Sequence, residues 1–184
     1  MNLLDKNAYK KNLLQISLAL LVVYIIILSS IQIVAPNKVI KPENFPNSCP
    51  DESKNCTMIG PIPHRGDNIS EIRFESNISN VMDEVNKWIK INSGEILQEW
   101  PNHTHVVFRT KFWKFPDDFV VNLHCEDEEV VMYVYSKSRL GISDLDVNND
   151  RVESFTNFML ETEISTSKCI YGCLLYTSPS PRDS

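Results

Sequence analysis

The chain has 184 residues, a formal net charge of −6 and 42% hydrophobic residues, so it has apolar material for one folded domain of ordinary size. Lys6, Lys10 and Lys11 precede the first apolar run, which leaves the remainder of the chain more acidic than the total charge indicates. An acidic domain repels phosphate backbones, and we therefore expect no nucleic-acid partner.

The N-terminal region contains one long apolar run. Residues 13–34 carry no charge and match, at about 22 residues or about 33 Å of helix, the hydrocarbon core of a bilayer. A cleaved signal peptide is the competing interpretation, but its apolar region is usually about 7 to 15 residues long, and Ala35 is followed by Pro36. We therefore predict an uncleaved single-pass anchor.

The lysines before the anchor predict its orientation, because positive charge is retained on the cytosolic side. Residues 1–12 are then cytosolic, and the C-terminal domain is lumenal or extracellular. Glycosylation sequons beyond the anchor agree with this orientation and make four asparagines candidate glycan sites: Asn55, Asn68, Asn77 and Asn102.

Residues 35–66 are predicted to form an irregular linker, because six prolines interrupt residues 36–63. The linker contains Cys49 and Cys56. These cysteines could close a small disulfide loop in an oxidising lumen, whereas they would stay thiols in a reducing compartment.

An amphipathic helix follows. Apolar residues recur at helical spacing between Ser79 and Asn92, with Asn77 or Ser79 as the expected cap and Gly94 as the expected stop.

Residues 103–138 change to the alternating period of strands. We predict a meander of three strands over 103–115, 119–125 and 130–136, with turns at Pro116-Asp117-Asp118 and at the acidic run 126–129. Apolar faces coincide if Lys111 pairs with Asn122 and Val120 with Tyr135. The other face would be wet and would carry Arg109, Lys111, Asn122, His124, Tyr133 and Tyr135.

A last helix begins near Asp146 or Asn148 and presents Val152, Phe155 and Met159 on one side. Two helices covering one antiparallel sheet of three or more strands make a two-layer α+β sandwich over residues 67–165, behind the N-terminal transmembrane helix. Residues 166–184 are predicted to be an irregular tail, and from about Cys173 onward to be translated adapter sequence.

Two blocks of residues carry a family resemblance. These are Phe115-x-Asp117-Asp118 and the long ordered run from Ser136-x-Ser138-Arg139-x-Gly141 through Val147-Asn148 to Arg151-Val152-Glu153. With the Cys49-Pro50-Asp51 segment, they make residues 48–160 resemble the family called domain of unknown function 1499. The resemblance implies the extent of the domain and no established activity.

Polar residues cluster where the last strand runs into the last helix, and they are the candidate ligand-binding set: Ser138, Arg139, Ser143, Asp144, Asn148 and Arg151. A helix N-terminus beside two arginines could bind a small anionic ligand. The competing interpretation is that Arg139 or Arg151 pairs with a nearby aspartate to fix the loop.

The sequence shows no convincing catalytic or metal set. His103 and His105 share a strand face but lack a third ligand, and Cys125 falls on the apolar face, where it should be an inert core thiol. We expect no cofactor. The leading hypothesis is a membrane-tethered, non-catalytic binding or assembly module, with a protein partner or a small anionic ligand. The alternative is a hydrolase that uses Arg139, Ser143 and Asp144.

Overall fold

The computed structural model describes residues 3–50, 53–141 and 145–170, with side chains from Tyr9 onward. Its elements are α1 (Leu3–Val34), β1 (Cys56–Ile59), β2 (Ile72–Phe74), α2 (Ile78–Ile91), β3 (Glu95–Trp100), β4 (His103–Arg109), β5 (Pro116–Glu126), β6 (Glu129–Ser138) and α3 (Val147–Glu161). Short 3-10 turns lie at Pro42–Asn44 and Gly66–Asn68. The predicted α+β class with an N-terminal apolar helix is confirmed.

All six strands belong to one antiparallel sheet in the order β1-β6-β5-β4-β3, and β2 also pairs with β6. The predicted meander is confirmed as β4, β5 and β6. The sheet extends further than predicted, because Cys56–Ile59 lies within the segment expected to be irregular and nevertheless pairs with β6. That expectation was wrong for these four residues, which the prolines do not interrupt.

The predicted register is right for one hairpin and wrong for the other. Val120 pairs with Tyr135 as expected, but Asn122 pairs with His103 and not with Lys111. The error has one cause: the turn lies at residues 110–115, and Pro116-Asp117-Asp118 begins β5 instead of forming the turn. Proline is compatible with the first residue of a strand, because that position can forgo a donor to the ladder.

Helices α2 and α3 cover one face of the sheet, called the inner face here. Of the two expected caps, Asn77 is the one that caps α2, since its side chain accepts a hydrogen bond of 2.9 Å from the backbone N–H of Asn80. The chain leaves α2 before Gly94, at Asn92 and at Ser93, which has a positive φ. The core between these layers is built from apolar residues of both helices and five strands, including Val85, Trp88, Phe119, Met132 and Phe155.

The opposite face of the sheet, the outer face, was predicted to be wet and is partly covered. A second apolar cluster there contains Met58, Val120 and Tyr135, and Ile40 and Phe45 of the linker pack against it. The outer face is therefore wet only in part, because the chain between α1 and β1 crosses it.

Two disulfides link cysteines among the described residues. Cys49 bonds to Cys56, and Cys125 bonds to Cys169. The expectation of a free core thiol at Cys125 was wrong, because the segment after α3 returns to the sheet and its Cys169 N–H donates to the Glu128 carbonyl at 2.7 Å. The predicted adapter sequence from Cys173 lies outside the described residues.

Candidate functional site

Asp117 and Asp118 are consecutive residues of β5, so their side chains lie on opposite faces of the sheet. Asp117 belongs to the inner face and Asp118 to the outer face. Each is the centre of a separate polar cluster, and the candidate site residues divide between the two.

The inner cluster lies under the first turns of α3. The Asp117 carboxylate pairs with Arg151 at 2.9 Å and accepts a hydrogen bond from the Ser138 hydroxyl. Asn148 connects the members: its side-chain oxygen accepts from Ser136 at 2.6 Å and from Arg151 at 2.7 Å, and its amide donates to Ser138 at 3.0 Å.

Burial makes this cluster a structural unit. Asn148 is fully buried, and Asp117 is only 2% exposed. The guanidinium of Arg151 also lies 4.9 Å from the centre of the Phe108 ring, where a cation is attracted to the π face. A buried carboxylate and guanidinium that satisfy each other lock α3 onto the sheet.

The outer cluster attaches the linker to the sheet. Arg139 pairs with Asp118 at 2.6 Å and donates to the Pro36 carbonyl at 3.1 Å and to Asn37 at 2.7 Å. Burial favours a raised pKa for Asp118, but hydrogen bonds from His105 and Arg139 outweigh it and hold that pKa below its usual value. Asp118 is therefore an ionised anchor for the linker at neutral pH.

His103 and His105 bind both backbone groups of one linker residue. The Ile40 N–H donates to His105 Nδ1 at 2.9 Å, so the ring proton of the neutral imidazole is on Nε2, which donates to Asp118 at 2.7 Å. His103 Nε2 donates to the Ile40 carbonyl at 2.9 Å, and its Nδ1 accepts from Asn122 at 3.0 Å. Burial lowers the pKa of His103, which favours this neutral form.

Three further outcomes concern the predicted residues. Ser143 and Asp144 lie outside the described residues. Asp146 occupies the cap position of α3 in a left-handed conformation, and its carboxylate pairs with Arg65 instead of capping the helix. Ser138, Asn148 and Arg151 come together, whereas Arg139 lies on the other face of the sheet.

The sequons differ in exposure. Asn55 is 6% exposed, and its side-chain nitrogen, the atom that would carry a glycan, donates to the Gly141 carbonyl at 2.6 Å. The corresponding nitrogens of Asn77 and Asn102 donate to Ser167 and to the Leu123 carbonyl. The expectation of a glycan at Asn55 therefore does not fit the folded domain, while Asn68 is exposed.

A cleft of about 340 Å³ opens beside the inner cluster. Its described lining residues are Thr110, Phe115, Asp117, Ser138, Leu140, Gly141, Leu145 and Val147. Apolar side chains form much of the wall, and Asp117 and Ser138 supply a polar end. Of these residues, the sequence analysis assigned Ser138 to the candidate site, and Phe115, Asp117, Gly141 and Val147 also stand in the two motif blocks. It missed Thr110, Leu140 and Leu145.

These features define a class of protein: an α+β domain that follows one helix long and apolar enough to cross a membrane. The domain has a cleft between its sheet and the start of its last helix. The family model described as "Protein of unknown function (DUF1499)" matches residues 32–159, and the chain belongs to that family. The match runs from the end of α1 into the last turn of α3.

Comparison with solved structures finds CalU16 from Micromonospora echinospora, at 12% identity over 50% of this chain and 73% of that chain, with a TM-score of 0.37. A likeness this distant carries no argument about function. No curated protein matches the chain.

Proposed function

We propose that the protein is a single-pass membrane protein whose domain, on the extracytosolic side, is a non-catalytic binding module with the cleft beside Asp117 and Ser138 as its ligand site. The observation that carries the proposal is the cleft itself. Concave sites with apolar walls and a few polar groups are the usual form of small-ligand sites.

Support for the membrane part comes from α1 and from the cysteines. The span Tyr9–Val34 is apolar, and only 6% of its most apolar window is buried against the rest of the chain. A helix with so much exposed apolar surface needs lipid around it. Disulfides persist in oxidising compartments, and two of them in the domain favour its translocation.

The polar contacts favour a neutral, largely apolar ligand over a small anion. Arg139 and Arg151, the cations that motivated the anion hypothesis, pair with Asp118 and Asp117. An anion would have to displace a carboxylate from one of them. A ligand that donates a hydrogen bond toward Asp117 or Ser138 and buries an apolar group against Phe115 and Leu140 meets no such cost.

A substitution that fills the cleft tests the proposal. Val147 is the first residue of α3, lines the cleft and is 38% exposed, so Val147→Trp should occupy the cleft without disturbing the core. The full chain in detergent micelles is titrated with the apolar dye Nile red, and we expect Val147→Trp to weaken saturable dye binding by on the order of tenfold, or about 1.4 kcal/mol.

The matched control is Leu160→Trp, which adds an indole to an exposed position at the other end of α3. It should leave dye binding unchanged. Equal binding by both variants and the unmodified chain would contradict the assignment of the cleft as the ligand site.

A further inference from the structure

The loop between β4 and β5, residues 110–115, lies against the membrane-length helix. The Tyr24 hydroxyl donates to the Phe112 carbonyl at 2.8 Å, and the Tyr24 ring lies 5.3 Å from that of Phe112 and 6.1 Å from that of Trp113. The covered positions follow helical spacing: Tyr24, Ile27 and Leu28 of α1 are partly covered, and Ile31 and Ala35, the residue after α1, are buried. One face of the last turns of α1 is therefore beside the rest of the chain.

Polar contacts indicate where the bilayer surface would lie along α1 and the β4–β5 loop. Arg109, at the end of β4, donates to Gln32 at 3.1 Å and to Asn37 at 3.5 Å, so polar groups collect near the end of α1. Tyr24 precedes Gln32 by eight residues, or about 12 Å of helix. A bilayer that surrounds the apolar part of α1 therefore reaches the loop.

The exposed side chains of the loop suit insertion into a bilayer. Phe112 is 61% exposed and Trp113 39%, and Lys111 and Lys114 flank this pair. The aromatic rings can enter the acyl region that the contact with Tyr24 implies, and the lysine stems can extend their ammonium groups toward the headgroups.

The backbone of the loop is also suited to a dry environment. Its ends close on each other, because Thr110 N–H donates to the Phe115 carbonyl at 3.1 Å and Lys114 N–H donates to the Thr110 carbonyl at 3.2 Å. The Thr110 hydroxyl accepts from Phe115 N–H at 3.0 Å. With Tyr24 bound to the Phe112 carbonyl, these bonds reduce the cost of removing the loop from water.

From the contact with α1, the exposed aromatic side chains and the closed backbone, we infer that the β4–β5 loop inserts into the same bilayer that holds α1. This inference rests on the proposed membrane anchorage and adds a second attachment. The domain is thereby held to the bilayer at the loop as well as through α1.

Tryptophan quenching by lipid tests the inference. The full chain is reconstituted into phosphatidylcholine vesicles, with and without bromine on the acyl chains near the headgroup. Bromine quenches only indoles that reach the acyl region. We expect quenching in the unmodified chain and loss of most of it in Trp113→Phe, a conservative change at an exposed position.

Trp100→Phe is the matched control, because Trp100 ends β3 and pairs with His103 at the start of β4, about 20 Å at roughly 3.3 Å per residue from the end of β4 that enters the loop. It should retain the quenching. Extraction of the same vesicles with alkaline carbonate tests the anchorage of α1 separately from the insertion of the loop.

If the chain stays in the vesicles and quenching is equal with and without Trp113, loop insertion is overturned while anchorage stands. If carbonate removes the chain, the proposed anchorage fails, and the inference fails with it.

Discussion

Asp117 and Asp118 show how adjacent residues of a strand serve different purposes. Asp117, on the inner face, pairs with Arg151 beneath α3, and Asp118, on the outer face, holds Arg139 and the linker. Both carboxylates are largely removed from water, where an ionised group is costly unless it is paired. The polar residues of the motif blocks therefore stabilise the domain itself.

We expect Asp117→Asn to lower the free energy of unfolding by about 3 kcal/mol or more, because it leaves the Arg151 charge buried without its carboxylate. Urea denaturation of the full chain in detergent, followed by tryptophan fluorescence, measures the change. Glu84→Gln is the control, because it removes an ion pair with Lys87, whose side chain is exposed to solvent. Loss of that pair should change the free energy of unfolding by less than about 0.5 kcal/mol. A cost below about 1 kcal/mol for Asp117→Asn would contradict the assigned role of the pair.

At the scale of elements, the linker is part of the domain. Its Ile40 is bound at both backbone groups by two histidines of β4, and its Phe45 packs beside Tyr133 with ring centroids 6.3 Å apart. Tyr135, on the same face, belongs to the apolar cluster against which the linker packs, and burial raises its pKa to about 12. The linker thereby covers apolar surface that a free tether would leave exposed.

This arrangement makes stability depend on pH. Because burial holds the pKa of His103 below its ordinary value of about 6.5, the unfolded chain binds a proton at a pH where folded His103 does not. The contribution of neutral His103 to the free energy of unfolding is therefore fully present above about pH 6.5 and declines as the pH falls below that value. Urea denaturation at a series of pH values should show this decline.

His103→Gln should flatten the decline in stability below about pH 6.5, because glutamine can still donate to the Ile40 carbonyl but does not titrate. The same change at His124, which lies beside Tyr133, should leave the decline in place. Identical pH profiles for the unmodified chain and His103→Gln would contradict the assignment of the decline to His103.

At the scale of the molecule, covalent links and the apolar helix α1 define the boundaries of the domain. The Cys125–Cys169 disulfide closes a longer loop, with a sequence separation of 44, than the Cys49–Cys56 disulfide, with a separation of 7. In the chain-entropy account, these closures contribute about 4 and about 2.5 kcal/mol respectively. The longer one ties the segment after α3 to the sheet.

The proposed topology predicts that the chain, translated into microsomes, resists alkaline carbonate extraction. Protease added outside intact vesicles should leave the domain whole, because the lysines before the anchor hold the N-terminus in the cytosol. Removal of glycans should shift the mass of the chain, and the shift should be absent in Asn68→Gln, since Asn68 is the exposed sequon within the described residues. Digestion of the domain in sealed vesicles would contradict this orientation.

The local sequence pattern was sufficient to predict the elements whose structure depends on residues close together in the chain. The apolar run of α1, the helical spacing and Asn77 cap of α2, and the alternation in β5 and β6 depend on contacts a few residues apart, and each was read correctly. The motif residues also identified the family, since the family model matches residues 32–159.

Tertiary structure decided the features in which distant segments compete for one surface. Nothing near Cys125 distinguishes a buried thiol from a disulfide with Cys169, and nothing near His103 shows that Ile40, 63 residues earlier, will bind it. The β4–β5 register was likewise misplaced, because a local turn signal at Pro116 cannot reveal that Asp117 pairs with Arg151 from inside a strand. The sequence by itself determined the elements, the apolar helix and the family; only the folded chain decided which face the linker covers and where the cleft lies, because those choices depend on the burial of charge and apolar area between residues far apart in the chain.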